Sequence, residues 1–453
     1  MARLAIDGGS KAFRKRTGKL QPKIGIEEFL SIAERFGFSP AALKRIRAAV
    51  RVEDLPPGGP HLGRYYGSPG PSKGEQLEAL VRNTFGVKHV YAVSSGTGAL
   101  HAAFIAAGAG PGTEVICPGL GFMATAMAVE LSGGVPIFCD VDESLQMDPE
   151  RIEACITPRT VALAPTHHWG NVADLDPILK VARKRKLKVV EDCAQAPGGK
   201  YRGRYVGTLG DIGCFSISSY KIIGAGESGL VVTGDGRLFD RLRQAAEGGG
   251  LWRPDRFAPP RYRGELFPGS NYRLSELEAA ADLIQFHKID EVCNRYRAVS
   301  RRIRGQLRSY AEITPQRIND PDGYIGFQLR FFPKTPALGA RITRALVAEG
   351  VAARTRGPRH KPDWHVARTM YPIVLKTGAI AGGSVFEDPR YLQRGGSAEY
   401  RGICPVAADL FAREVAIDLD EWLSPQDCDA IAEGITKVLS AYCAEQPEGR
   451  PWA

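Results

Sequence analysis

Short apolar runs alternate with helical patterns between residues 88 and 235 of the chain. The candidate strands are 89–93, 114–117, 135–139, 161–165 and 187–190. Helical stretches separate them, for example 98–107, 123–131 and 176–186. A repeated strand–helix–strand order is typical of a largely parallel sheet whose two faces are covered by helices. The pattern therefore predicts an α/β fold.

Two further apolar runs, 211–218 and 229–233, follow each other with only a short glycine-rich link. A link of that length cannot contain the crossover helix that parallel neighbours need, so we expect these two strands to be antiparallel. With the five runs before them they predict a mostly parallel, seven-stranded sheet.

The remainder of the chain predicts a long loop and a second, smaller domain. The loop is 247–270, which is rich in Gly, Pro and Arg. A helix over 274–286 and an amphipathic helix to about residue 310 follow it. The smaller α+β domain has candidate strands and helices at 325–332, 414–418, 340–350 and 424–443. We predict an N-terminal arm (1–24), a large domain (25–295) and a small domain (296–453).

Composition narrows the class of protein. The 453 residues are 43% apolar and 24% charged, which is the balance of a folded globular chain. No run approaches the roughly 18 apolar residues of a membrane span, and the first residues lack the apolar core of a secretory signal. We therefore expect a cytoplasmic protein with no membrane partner. The net charge of +10 accompanies no nucleic-acid motif, and the nine cysteines have no zinc spacing, so neither nucleic acid nor metal is predicted.

Four features that are suited to ligand binding or catalysis follow the predicted strands in one order. A Gly-bearing turn, Ser94–Leu100, opens a helix whose free N–H groups suit a phosphate. Phe122 supplies an aromatic ring at the next helix, and Asp192 ends a buried strand, where a carboxylate requires a cationic partner. Lys221 follows another strand and is a candidate nucleophile for Schiff-base chemistry. Together they predict pyridoxal 5'-phosphate (PLP) as cofactor.

At these residues the chain resembles the DegT-type (StrS-type) sugar aminotransferases, which have the aspartate-aminotransferase fold, PLP fold type I. The resemblance runs from about Gly67 to Asp290, with a looser similarity to the C-terminus, and is most specific over 191–229. It implies that Lys221 binds the PLP aldehyde and that Asp192 pairs with the ring nitrogen. It further implies cofactor contacts, in order along the chain, from Gly96, Thr97, Phe122, His167, Gln195, Ser216 and Asn271. Asn271 would reach the phosphate of a neighbouring subunit, which implies a homodimer with shared active sites.

The chain departs from the family pattern in three places. Ile222 follows the lysine where the family usually has Asn, and Gly226-Glu-Ser-Gly229 replaces Gly-Glu-Gly-Gly. The 247–270 loop is longer and richer in arginine than the family pattern, with Arg253, Arg256, Arg261 and Arg263. These arginines either face a diphosphate or the donor carboxylate, or are solvated.

The resemblance implies transfer of an amino group from glutamate or glutamine to a keto-sugar, either nucleotide-linked or a ketocyclitol. The opening 4–9 segment is similar to the cyclitol branch of the family. An aromatising synthase of the same fold and a non-catalytic regulator remain as alternatives, whereas a sugar dehydratase of the family would have histidine in place of Lys221. A serine acyl-enzyme is the outsider, because Ser218-x-x-Lys221 and Lys376-Thr-Gly378 match two of its three motifs.

Overall fold

The structure is a computed structural model that describes residues 3–15, 17–18, 22–55, 61–63, 70–357, 363–379, 383–400 and 404–452. Its contacts divide the chain into two compact units, Met1–Ser72 and Lys73–Ala453. The first unit contains helices α1 (Ile26–Arg35) and α2 (Pro40–Ala49). Ser39 caps α2 by accepting a hydrogen bond from the Ala42 N–H, and Arg47 of α2 pairs with Glu27 of α1.

The second unit contains a seven-stranded and a four-stranded sheet. The seven-stranded sheet has the order β1-β9-β8-β5-β4-β2-β3. Its strands are β1 (His89–Val93), β2 (Glu114–Pro118), β3 (Val135–Cys139), β4 (Thr160–Leu163), β5 (Lys188–Asp192), β8 (Ile212–Ser216) and β9 (Gly229–Thr233). Strand β9 is antiparallel to β1 and β8, whereas the other neighbours are parallel. The predicted mostly parallel sheet is confirmed, including the antiparallel pair.

Helices cover both faces of this sheet. They are α3 (Lys73–Phe85), α4 (Gly96–Ala107), α5 (Ala124–Leu131), α6 (Ile152–Cys155), α7 (Leu175–Arg185), α8 (Gly236–Ala246) and α9 (Glu276–His287). Side chains alternate along β1: Tyr91 and Val93 pack in the core with α4, and Val90 and Ala92 pack in the core with α3. This period of two places one apolar core on each side of the sheet.

The four-stranded antiparallel sheet has the order β10-β11-β13-β12, with β10 (Ile313–Pro315), β11 (Gln328–Pro333), β12 (Ala353–Thr355) and β13 (Val415–Asp418). A short hairpin, β6 (Lys200–Tyr201) and β7 (Arg204–Tyr205), lies apart from both sheets. The remaining helices are α10 (Ile289–Arg304), α11 (Pro336–Ala348), α12 (Tyr371–Val374), α13 (Pro389–Gln393), α14 (Pro405–Arg413) and α15 (Pro425–Tyr442).

Helix α10 differs from its predicted extent. We expected it to reach about residue 310, but it ends at Arg304 with Gly305 as its C-cap, because the chain must turn there to enter β10. Helix α10 also runs across the predicted boundary between residues 295 and 296, so the division of this unit into domains stays a prediction. In the described part of the chain, no helix is long and apolar enough to cross a membrane.

Candidate active site

A cavity of about 440 Å³ lies where strands β1, β2, β5 and β8 end. Ligand sites in open α/β sheets lie at this edge, because parallel strands deliver their C-terminal loops to one side. The cavity is lined by most of the residues predicted from the sequence, which are Gly96, Thr97, Phe122, Asp192, Gln195, Ser216 and Lys221. Two predicted residues, His167 and Asn271, are not part of its lining.

The N-terminus of α4 forms one end of the cavity. Ser95 caps the helix, and its Oγ accepts a hydrogen bond from the Gly98 N–H at 3.0 Å. The N–H groups of Gly96 and Thr97 are in the first turn and have no acceptor within the helix. A Cβ at residue 96 would lie 2.7 Å from the Ser216 Cβ, so this close approach requires glycine. Exposed N–H groups beside the Ser216 hydroxyl suit a phosphate group.

Asp192 provides the test of whether the cavity suits a pyridinium ring. Its side chain is 4% exposed and accepts hydrogen bonds from the Thr125 hydroxyl at 2.7 Å and the Ala194 N–H at 3.0 Å. Across the described ranges, no lysine or arginine is hydrogen-bonded to it. A buried carboxylate with only neutral donors is costly unless a ligand supplies the cation. A protonated ring nitrogen is such a partner, so the residues fit PLP.

Lys221 follows β8 and lies between two cavities. Burial lowers the pKa of its ammonium group, while the charges of Asp192 and Glu227 oppose that shift. A second cavity of about 280 Å³ shares Gln195, Tyr220 and Lys221 with the first. An amine with a lowered pKa has a larger unprotonated fraction, which both nucleophilic attack and proton abstraction require.

Phe122 and Gln195 complete the walls of the larger cavity. The Phe122 ring is 42% exposed and lies 5.4 Å from the ring of His365, centroid to centroid. An exposed aromatic face at this edge can cover a planar ligand. The Oε1 of Gln195 accepts a hydrogen bond from the Trp169 N–H at 3.2 Å, which leaves its NH₂ group as a donor for a ligand.

His167 lies behind the cavity and not in it. Its Nε2 is 3.0 Å from Glu191 Oε2, and its Nδ1 accepts a hydrogen bond from the Ala173 N–H at 3.0 Å. Both ring nitrogens are therefore used within the protein, so the predicted contact with the cofactor is not present in this arrangement. The His167 backbone N–H donates to the Asp192 carbonyl at 2.9 Å, which places the pair beside the end of β5. Its geometry is that of a support for the strand that presents Asp192.

Asn271 is exposed, and its Oδ1 accepts a hydrogen bond from the Arg273 N–H at 3.3 Å. It does not line the cavity of its own chain. Its predicted contact with a neighbouring subunit stays a prediction.

The side chains of His167, Glu191 and Cys193 are of types that bind metals, and their ligand atoms lie within 4.8 Å of one another. The Glu191 carboxylate, however, accepts hydrogen bonds from His167 and from the N–H groups of Gly207, Leu209 and Gly210. Burial alone would raise its pKa, but the hydrogen bonds from His167 and the backbone hold that pKa below its ordinary value. The cluster is therefore a satisfied structural network.

We expect Glu191→Gln to lower the free energy of unfolding by about 2–3 kcal/mol, because the amide NH₂ would face N–H donors in a fully buried site. Urea unfolding of the purified protein measures this loss. Glu433→Gln, at an exposed position of α15, serves as the control and should change stability by less than about 0.5 kcal/mol. A loss at residue 191 no larger than that of the control would contradict a structural role for the network.

The structure adds residues that the sequence analysis did not assign to this cavity: Ser218, Glu227 and His365 are part of its lining, and Thr125 contacts Asp192 from outside the lining. Thr125 lies one helical turn after Phe122, so that spacing was an available signal. His365 comes from a distant part of the chain, and no sequence signal linked it to this site.

Two arginines of the 247–270 loop have contacts within the protein. Arg253 is buried and donates to the carbonyls of Ala258 and Pro259. Arg261 pairs with Asp240 and Glu265. Both side chains hold the loop in place; Arg253 is not solvated, whereas the Arg261 side chain is 59% exposed and is closer to the solvated alternative.

A mostly parallel sheet that presents a lysine, a buried aspartate and a phosphate-binding helix end at one edge defines a PLP-dependent enzyme of fold type I. The chain belongs to the DegT/DnrJ/EryC1/StrS aminotransferase family, whose model matches residues 66–358. It is a PLP-dependent aminotransferase. The match begins within one residue of the predicted start at Gly67, and it continues past Asp290 into the part of the chain where a looser resemblance was expected.

Relatives of this chain include enzymes with different acceptors. A GDP-perosamine synthase from Caulobacter vibrioides is 37% identical over 300 residues, which cover 66% of this chain and 77% of that protein. An L-glutamine:2-deoxy-scyllo-inosose aminotransferase from Micromonospora echinospora is 40% identical, over 52% of this chain and 59% of that protein. The crystal structure of 3-amino-5-hydroxybenzoic acid synthase is similar with a TM-score of 0.66 and 25% identity, over 84% of this chain and 93% of that one.

Proposed function

We propose that this aminotransferase moves an amino group from glutamate or glutamine to the ketone of a sugar or cyclitol ring. The observation that carries this proposal is the position of Lys221 between two cavities. One contains Asp192 and the phosphate-binding end of α4, as PLP requires. The other adjoins it and has room for an acceptor ring. The similarity to a GDP-perosamine synthase and to an L-glutamine:2-deoxy-scyllo-inosose aminotransferase supports the same assignment.

The residues divide the chemistry between them. Gly96, Thr97 and Ser216 hold the phosphate, and Asp192 keeps the ring nitrogen protonated. Bound PLP supplies an electron sink for the carbanion formed at the donor. Lys221 would hold the cofactor at its aldehyde, and its Nζ, with a pKa lowered by burial, would take the proton from the donor Cα. In the second half-reaction the same Nζ moves protons in the reverse direction.

The residues that line the smaller cavity suit an uncharged ring. Trp169, Tyr296 and Phe327 give it aromatic walls, and Gln195 and Gln328 give it amide groups. Lys221 is the only lysine or arginine among its described lining residues. Aromatic faces pack against the C–H surfaces of a polyhydroxyl ring, and amides bind its hydroxyls.

We further propose a homodimer, in which the exposed Asn271 reaches the phosphate of the neighbouring subunit. A location in the cytoplasm also stays a prediction from the sequence.

The half-reaction with the donor provides the test. We expect the purified protein to be yellow and to lose its visible absorbance when glutamate or glutamine is added, because amino-group transfer changes the cofactor. Adding a keto-sugar or a ketocyclitol should restore the yellow colour. Aspartate is the control donor and should change the visible absorbance less than glutamate or glutamine does. A protein that takes up no PLP contradicts the proposal. A yellow protein that ignores both donors but converts a cyclic ketone to an aromatic product would instead be an aromatising synthase, the reaction class of the related synthase.

A further inference from the structure

The segment Ser218–Ser228, called here the lysine loop, packs against helix α9. Its ends lie close together: the Ser219 N–H donates to the Gly226 carbonyl at 3.0 Å, and the Ile217 N–H donates to the Ser228 carbonyl at 3.0 Å. On the helix side, Glu278 Oε1 accepts a hydrogen bond from the Glu227 N–H at 3.1 Å. Glu278 is therefore one attachment of the loop that carries Lys221.

A second attachment lies one helical turn further along α9. Residues 278 and 282 share a face of the helix, and they meet consecutive residues of the loop, Glu227 and Ser228. Asp282 is 0% exposed and Ser228 is 1% exposed. The Ser228 hydroxyl lies close enough to the Asp282 carboxyl group to affect its pKa by hydrogen bonding.

Neither side chain has a conventional hydrogen bond. Both carboxylate oxygens of Asp282 and the Oγ of Ser228 lack a partner among the described residues. Buried polar groups without partners are rare in folded proteins, so two of them that face each other require an explanation. A hydrogen bond from a protonated Asp282 to Ser228 would satisfy both at once.

The surroundings of Asp282 favour the protonated form. Burial raises the pKa of Asp282 to about 7, an effect that Ser228 opposes and the charge of Glu278 increases. Helix α3 packs against α9, and its carboxylate Glu78 accepts a hydrogen bond from the Ala92 N–H. Among the described residues, no lysine or arginine is hydrogen-bonded to Asp282.

We propose that Asp282 donates a hydrogen bond to Ser228 and that this pair positions the lysine loop on α9. Asp282 and Ser228 are positioning residues, because they act on the reaction through Lys221. The chain has serine at residue 228 where the family pattern has glycine, so the hydroxyl of this pair is a feature of this chain. The proposal rests on the assignment of Lys221 as the residue that binds PLP.

The protonation of Asp282 is tested by urea unfolding of the PLP-loaded protein between pH 5 and 8.5, at fixed protein and cofactor concentrations. A carboxyl group whose pKa is raised in the folded state stabilises that state at low pH, and its contribution is lost as pH rises from about 4 through about 7. Relative to Asp282→Asn, the unfolding constant of the wild type should therefore rise by up to about tenfold per pH unit between about pH 5 and pH 7, and then level off. Asp322→Asn, with a side chain 97% exposed, is the control. A ratio that does not change with pH would overturn the proposal.

The positioning role is tested by the pH titration of the visible band of the bound cofactor. In the wild type, we expect the absorbance of this band to change near pH 7 as Asp282 loses its proton. The amide of Asp282→Asn can donate to Ser228 at every pH, so this change should be absent from the variant. Asp282→Leu and Ser228→Ala remove the pair, and both should weaken PLP binding severalfold even at pH 6. Equal titrations for wild type and Asp282→Asn would overturn the positioning role. If no variant and not even the wild type takes up PLP, the proposed function fails, and the same urea unfolding series on the protein without cofactor still decides whether Asp282 is protonated.

Discussion

Replacement of Lys221 by alanine should reduce turnover by at least about 10³-fold. The variant loses the amine that binds the cofactor and moves the Cα proton, and a positioned acid–base group alone contributes about 10² to 10⁴. The visible band of the lysine-bound cofactor should disappear as well. Both effects are measured with the purified variant, by absorbance and by the rate of amino-group transfer from glutamate or glutamine.

Lys376→Ala is a matched control for this variant. Lys376 belongs to the Lys-Thr-Gly motif of the serine acyl-enzyme alternative, and it does not line the cavity that contains Lys221. We expect it to retain the activity and the colour of the wild type. Loss of activity at residue 376 with normal transfer by Lys221→Ala would contradict the aminotransferase assignment and favour the acyl-enzyme.

Replacement of Asp192 by asparagine should slow amino-group transfer by about 10² to 10³-fold, the range found when one charge-stabilising contact is removed from an active site. Asn is nearly the same size and can still accept the hydrogen bond from Thr125. It lacks the charge that favours a protonated ring nitrogen, so the electron sink weakens. The phosphate-binding end of α4 is unchanged, so the variant should still take up PLP. Single-turnover absorbance with the donor measures the rate.

Thr125→Val is the companion variant, because it removes one neutral hydrogen bond to Asp192 and leaves its charge. A net loss of about 1 kcal/mol predicts a reduction of only about fivefold. An Asp192→Asn protein that transfers amino groups as fast as the wild type would show that this carboxylate is not the partner of the ring nitrogen.

Local sequence patterns predicted the strands of the seven-stranded sheet and their mostly parallel arrangement, but not their spatial order. Strands β1, β3 and β9 begin and end at the predicted residues, and the short link before Gly229 led to the correct antiparallel pairing. The end of α10 was harder to predict, because the helical periodicity of the sequence continued past the point where the chain turns toward β10.

Among the side chains that meet at the sheet edge, some positions could likewise be predicted from the sequence and others could not. Asp192 and Ser216 are the last residues of β5 and β8, and Lys221 lies in the loop after β8; parallel strands bring their ends together, so these positions could be predicted. His167 also follows a strand, but its ring contacts Glu191 instead of the cavity. The backbone N–H donors around the Glu191 carboxylate fix that carboxylate where His167 reaches it. Arg261 similarly pairs with Asp240, a residue of a helix that the loop composition could not identify as its neighbour.

The amino-acid sequence by itself determined the class of fold, the cofactor and the lysine proposed to bind it, because these depend on apolar periodicity and on residue types at the ends of consecutive strands. Only the tertiary structure decided that His167 supports β5, that His365 reaches the cavity, and that Asp282 faces Ser228. Each of these contacts joins residues far apart in the chain. Such contacts depend on side-chain direction and on burial, and neither is specified before the elements have packed.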